Sequence, residues 1–207
     1  GHTHGYSRGQ SRDHKHLWIN VATAGGAIDY WGDWPQLDYD EFSVTEDDWG
    51  FVLVEVEAGD EPKFSVKRLS RGDGDVDLDN ALIDSFSVSK TDYIITTPTT
   101  IYPLDLQVTP ECVILRGSSF EIEEMHGASH WQVTETSGEY SDPIGEVWEQ
   151  FENLYFNVDT QEGELITEEY MWGMPENTQL WWRVRYRDKE LNWSDWSDEA
   201  AFSTGIS

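Results

Sequence analysis

From Leu104 to Thr204 the chain is broken into short apolar runs at even spacing, and that spacing restricts the fold more than any other feature. Seven segments, Leu104–Val108, Glu111–Arg116, Ser129–Thr134, Asn153–Val158, Glu164–Trp172, Leu180–Arg187 and Ala200–Thr204, are rich in β-branched and aromatic residues and are separated by turn residues. About seven short strands in roughly 100 residues is the pattern of a two-sheet sandwich, and no long 3.6-residue periodicity competes with it. The earlier part of the chain reads the same way. His16–Ala22 stops at Gly25 and Gly26, Gly50–Glu57 alternates until Gly59 and Asp60, and Phe64–Leu69 resumes after Pro62, which is a hairpin signature. Val76–Ile83 is the only short helix candidate. Because Ser89–Thr100 is rich in Ser, Thr and Pro, residues 1–88 are expected to form one domain, 89–100 a linker and 101–207 a second domain, the whole being mostly β.

Charge narrows the partners. Asp and Glu number 41 against 13 Lys and Arg, a formal net charge of −28, so the surface repels nucleic acid and anionic membranes. No stretch approaches the roughly 18 apolar residues of a membrane span. The one cysteine, Cys112, cannot close an internal disulfide, which removes the cysteine-stapled scaffolds. So acidic a surface suits a saline or extracellular setting, and an extracellular, periplasmic or cell-surface location is expected. The sequence opens on Gly1 without a charged-then-apolar leader, so a fragment or a processed chain is expected.

The opening Gly1-His2-Thr3-His4-Gly5-Tyr6-Ser7-Arg8 places two imidazoles two residues apart in a Gly-flanked loop, and neutral imidazole is a common ligand for Zn, Fe and Mn. As a terminal His pair alone this is weak evidence. The pattern Gly-His-x-His-x-Tyr-x-Arg resembles the last metal motif of the purple acid phosphatases, within the calcineurin-like metallophosphoesterases. The resemblance extends over residues 1–70, through Ala22–Gly26, Glu41–Glu46 and Gly50–Glu55. It implies the C-terminal strands of an αββα sandwich, with His2 and His4 as ligands to the two metals of a dinuclear Fe, Zn or Mn pair. Such a pair hydrolyses a phosphate-ester substrate with metal-activated hydroxide. The family's other ligands precede this final motif, so the chain by itself is expected to be inactive, with no metal tightly bound. Tyr6 and Arg8 also match; Arg8 reads more readily as an ion-pairing, loop-bracing residue than as a phosphate contact.

Other motifs carry weaker readings. Asp73, Asp75, Asp77, Asp79 and Asp84 have the spacing of a calcium loop, but Leu78 stands where Gly is needed and Asp84 where Glu closes the site, so a solvated acidic linker is the better account. Arg71-Gly72-Asp73 is too short to mean much. His14 and His16 read as solvated. Tyr30, Trp31, Trp34 and Tyr39 form an aromatic loop that either walls a substrate site or packs on itself. His126 and His130 have metal-like spacing only on a helix, and Gly127 argues for a hairpin.

The richest non-catalytic signal is Leu180–Arg187 followed by Trp193-Ser194-Asp195-Trp196-Ser197. In a strand, Arg183, Arg185 and Arg187 fall on one face, where Trp193 and Trp196 can lie between the guanidiniums as a structural ladder. This segment resembles the Trp-Ser-x-Trp-Ser box of fibronectin type III domains. Leu180 stands where that family's corner has Tyr, so packing is expected to hold the corner. Two functions follow. The first is the C-terminal part of a dinuclear-metal phosphoesterase with an accessory fibronectin type III-like module, facing carbohydrate or protein. The alternative is a non-catalytic extracellular adhesion or binding module.

Overall fold

The computed structural model describes residues 4–21, 24–30, 42–90, 94–151, 154–155, 158–159 and 165–206. The chain divides into two compact units, Gly1–Thr91 with Glu152–Glu162, and Asp92–Phe151 with Gly163–Ser207. Both are built of strands. Among the described residues the one helical turn is a 3-10 turn at Glu123–Met125, so neither unit shows the helical layers of the expected αββα sandwich. The strand expected over 153–158 belongs with the first unit and not with the sandwich.

The second unit contains β7 (Thr100–Tyr102), β8 (Gln107–Val108), β9 (Cys112–Gly117), β10 (His126–Thr134), β11 (Gly145–Gln150), β14 (Glu168–Trp172), β15 (Gln179–Asp188) and β16 (Ala200–Thr204). They form a three-stranded sheet, β14-β9-β7, and a five-stranded sheet, β11-β10-β15-β16-β8. All pairings are antiparallel except β16 with β8. Strands β7, β9 and β14 take the places of A, B and E, and β11, β10, β15 and β16 those of C′, C, F and G, in a fibronectin type III-like sandwich. Period two explains the core. Leu180, Trp182, Val184 and Tyr186 alternate inward on β15 and meet Trp131 and Val133, Val113 and Leu115, Met171 and Phe202. Trp131 and Trp182 stack at 6.0 Å, and the Trp182 indole N–H donates to Pro103 O at 3.0 Å.

At the corner Leu180 is fully buried, as a packing residue should be. A hydroxyl assists it. Thr204 Oγ1 accepts from Thr178 N–H at 3.0 Å and donates to Pro175 O, so a threonine on β16 ties down the turn that leads into β15.

The first unit pairs β1 (Tyr6–Gln10), β2 (Leu17–Val21), β3 (Phe42–Glu46), β12 (Leu154–Tyr155) and β13 (Val158–Asp159) in the order β13-β12-β3-β1-β2. A separate sheet, β4-β5-β6, comprises Trp49–Glu57, Lys63–Gly72 and Asp77–Ser89. The hairpin of β4 and β5 turns at Gly59, whose φ of 147° suits glycine. The helix expected over Val76–Ile83 is instead the start of β6, because pairing with β5 overrides local propensity: Arg68 lies opposite Asp84 and Val66 opposite Phe86. The sheets meet through a polar core. Tyr6 and Arg8 from β1 face Arg68, Asp84 and Phe86, with the Arg68 guanidinium 5.0 Å from the Tyr6 ring and Arg8 4.7 Å from Phe86. Arg68 is fully buried and donates to Asp48 Oδ1 at 2.7 Å and Asp48 O at 3.0 Å. Gly50 makes room for it, since a Cβ there would lie 2.1 Å from Leu69 O and 2.7 Å from Arg68 Cζ.

Candidate functional site

The expected metal site is not assembled by the described residues. His2 lies outside them. His4 donates its backbone N–H to Asp29 Oδ2 at 2.9 Å, and its imidazole lies over Gly26, 3.7 Å from where a Cβ would project. No group of three or more His, Cys, Asp or Glu side chains is arranged to hold an ion among the described residues, so the dinuclear pair finds no fit there. Arg8 is an ion-pairing residue: its Nε and Nη2 meet Asp84 Oδ2 and Oδ1 at 2.7 and 2.9 Å, and the Tyr6 hydroxyl donates to the same carboxylate at 2.7 Å. Burial pulls the Asp84 carboxyl upward, but the hydrogen bonds and charge of Arg8, with the Tyr6 hydroxyl, outweigh it and hold it below the usual range. Burial and the Asp84 charge push the Tyr6 phenol up.

This use of Asp84 dissolves the calcium spacing, since its carboxylate faces Arg8. Asp73 instead accepts from the N–H groups of Asp75 and Val76, both at 2.9 Å, in a turn of its own. His14 and His16 are exposed and Tyr30 is half exposed, while Trp31, Trp34 and Tyr39 lie outside the described residues.

The Arg and Trp side chains do come together. Arg187 lies 5.2 Å from the Trp193 ring, Arg185 4.3 Å from Trp193 and 4.6 Å from Trp196, and Arg183 4.1 Å from Trp196. Backbone pairing sets this alternation. Ser194 exchanges hydrogen bonds with Tyr186, and Ser197 with Val184, each serine hydroxyl accepting the strand N–H at 3.0 Å while its own N–H donates to the strand carbonyl. The indoles between the serines are thereby laid across β15.

Sequence reasoning missed the ladder's other members. Tyr140 adds a further ring 3.9 Å from Arg183, and its hydroxyl donates to Glu199, which also accepts from Ser137 and Gly138. Below, Gln132 Oε1 accepts from Arg183 at 2.7 and 3.0 Å, and His130 Nδ1 accepts from Arg185. Glu146 takes hydrogen bonds from His130 and Gln132 at 2.8 Å each. The available signal was the period of two in His130 and Gln132 on β10. These interactions pair the polar and aromatic groups on the outer face of β10 and β15 with one another.

His126, on the same strand, stacks 4.6 Å from Phe120 and lies tilted 4.5 Å from Tyr186. Burial lowers its pKa to about 4, against a hydrogen bond to the Ala128 backbone that raises it, with Lys189 lowering it further. The unfolded chain, with an ordinary imidazole near 6.5, therefore takes up this proton first. The His126 contribution is complete above about pH 6.5 and is lost as pH falls toward 4, by about 2–3 kcal/mol at about 1.4 kcal/mol per pH unit. Thermal melts from pH 7 to 4.5 are expected to fall less steeply for His126→Gln than for the native chain; parallel curves would contradict this.

The outer face of the three-stranded sheet is different. Trp172 is 71% exposed and Tyr170 49%, on alternate positions of β14, paired across to Cys112 and Ile114 of β9. Arg116 at the end of this strip is neutralised by Glu168 at 2.7 Å. No element among the described residues covers these rings.

No family profile matches the chain, and no curated protein matches it. Among solved structures, one described as a myokine covers 56% of this chain and 99% of its own at 16% identity, with a TM-score of 0.33. The FN1–FN3 domains of chicken CNTN1 match over 97% of this chain and 56% of theirs at 10% identity, with a TM-score of 0.39, so the chain spans about half the length of that neighbour. At such scores neither superposition adds to the strand order, on which the assignment of the second unit as fibronectin type III-like rests.

Proposed function

We propose that the chain is a non-catalytic binding or adhesion module that engages a protein partner through the outer face of the three-stranded sheet of its second unit, at a cell surface or outside the cell. One observation carries this reading. Of the sandwich's two outer faces, one is occupied by the chain's own ladder, and the other presents Trp172 and Tyr170 to solvent beside Ile114. Exposed aromatic side chains on a rigid sheet supply large contact area at low entropic cost, and Trp and Tyr are enriched among residues that dominate binding energy. The strip offers the partner no net positive charge, because Arg116 is held by Glu168. A partner bearing neutral or basic residues is therefore favoured over an acidic one.

Of the two imidazoles proposed as ligands in the phosphoesterase reading, only His4 lies among the described residues, and no described group around it is arranged to hold a metal. The test uses the whole chain immobilised and exposed to an extract of the cells that make it. Proteins retained by the native chain are expected to be lost with Trp172→Ala, which leaves the net charge unchanged. Retention unaffected by Trp172→Ala would overturn the assignment of the face. Metal-dependent turnover of a chromogenic phosphomonoester that disappears in His4→Ala would restore the enzyme.

A further inference from the structure

The open edge of β4 in the first unit is another exposed apolar feature among the described residues. This strand runs for nine residues, Trp49–Glu57, at the edge of its sheet, and no described strand pairs with its other side. It is apolar on both faces. Phe51 is 42% and Leu53 49% exposed on one, Val54 56% and Val56 75% on the other. Long apolar edges are normally blunted by Lys, Pro, bulges or covering segments. The chain does this elsewhere. On edge strand β14, Tyr170 N–H is taken by the Glu169 carboxylate at 2.8 Å and Glu168 N–H by Leu165 O at 2.7 Å. On edge strand β6, two register shifts and Asn80 with a φ of 54° break the regular edge. Strand β4 has a register shift only at Trp49 and Gly50, and no Lys or Pro.

We infer that β4 is a strand-addition site for an extended, basic segment of another protein, with alternating apolar and Lys or Arg side chains. Addition of a strand at an open edge satisfies the free backbone groups and lets alternate side chains read the two faces. Charge selects the occupant. Glu55 and Glu57 project from the strand beside Phe51 and Leu53, and Asp60 and Glu61 lie in the turn beyond. Lys67 reaches Glu55 only at 3.6 Å with both side chains largely exposed, and Lys63 lies opposite Glu57 on β5. An acidic segment is rejected there. A second copy of the chain would bring one net charge of −28 against another.

The probe is a labelled decapeptide of alternating valine and lysine, followed by fluorescence anisotropy with the full chain in about 0.1 M salt. The control is the same peptide with two valines replaced by proline, which keeps the charge but cannot form a ladder. The alternating peptide is expected to bind about tenfold more tightly than the control. That preference is expected to vanish in Val54→Asp, although the added negative charge strengthens any unspecific attraction for lysine. It is expected to persist in Trp172→Ala, which separates this site from the face on the second unit. Equal binding of the two peptides, or a preference that survives Val54→Asp in a folded protein, would overturn the inference. So would a sedimentation mass that doubles with salt and reverts in Val54→Asp, since the edge would then be filled by a second copy.

Discussion

Asp48→Ala is expected to destabilise the first unit by about 3–5 kcal/mol, the usual cost of removing one partner of a buried ion pair. The Asp48 carboxylate meets the fully buried Arg68 guanidinium at 2.7 Å and accepts from the Ser70 hydroxyl. Its loss leaves the Arg68 charge in the core without that counter-charge. Arg68→Met should cost less than Asp48→Ala, because a thioether fills space beside Tyr6 without burying a cation. The double variant should cost less than the sum of the two, since the carboxylate and the guanidinium act on each other. Hydrogen exchange at the amides of β5 and β6 reports on this unit alone within the whole chain. Exchange rates unchanged in Asp48→Ala would mean that the pair contributes nothing.

Trp196→Ala is expected to cost the second unit about 4 kcal/mol, from the packed area of an indole and two cation–π contacts of about 0.5–1 kcal/mol each. Trp196 sits between Arg183 at 4.1 Å and Arg185 at 4.6 Å, with His130 4.9 Å away. Arg185→Lys keeps the charge but gives up the planar surface and the forked contact with His130 Nδ1, so it should cost about 1 kcal/mol. Denaturant unfolding followed by exchange on β10 and β15 gives both numbers. If Trp196→Ala leaves stability unchanged while abolishing partner retention, the ladder is the recognition surface and Trp172 is not.

Strands with strict alternation were legible in the sequence. Leu180–Arg187, Ala200–Thr204 and the hairpin of Gly50–Glu57 with Phe64–Leu69 all lie within the observed strands. Strand β11 was not legible, because Glu146 and Glu149 frame Trp148 just after a turn containing Pro143, and its pairing to β10 supplies what local sequence does not. The error at β6 has the same origin: Asp79 and Asn80 suit a turn locally and Asn80 keeps a left-handed φ of 54° at a register shift, while the pairing of Ala81 with Ser70 and Asp77 with Gly72 carries the strand through. The short strands β12 and β13 depend on parallel pairing of Leu154 with Val44, 110 positions earlier, which no window of sequence reveals.

The candidate site divided along the same line. The Arg and Trp ladder was legible because its five residues lie within fifteen positions, at strand period and then in one short box. Tyr140 was not, since it reaches Arg183 from 43 positions earlier, and with it went the role of Glu199, which accepts from the Tyr140 hydroxyl. The His-x-His motif could not be followed further, because a local spacing says nothing about the third and fourth ligands and His2 lies outside the described residues; Asp84 holds Arg8 and Tyr6, and Asp29 holds the His4 backbone. Trp172 and Tyr170 were read as part of a strand and not as a surface. Their exposure follows from which sheet face the alternation turns outward, and that is set by Met171 entering the core between them.

The most direct test of the binding reading places a photo-crosslinking phenylalanine analogue at position 172 in one preparation and at position 196 in another, each exposed to an extract of the cells that make the protein. A discrete protein adduct is expected from position 172 and none from position 196, because Trp172 is 71% exposed while Trp196 lies against Arg183 and Arg185. Adducts from position 196 alone, or from neither position, would contradict it.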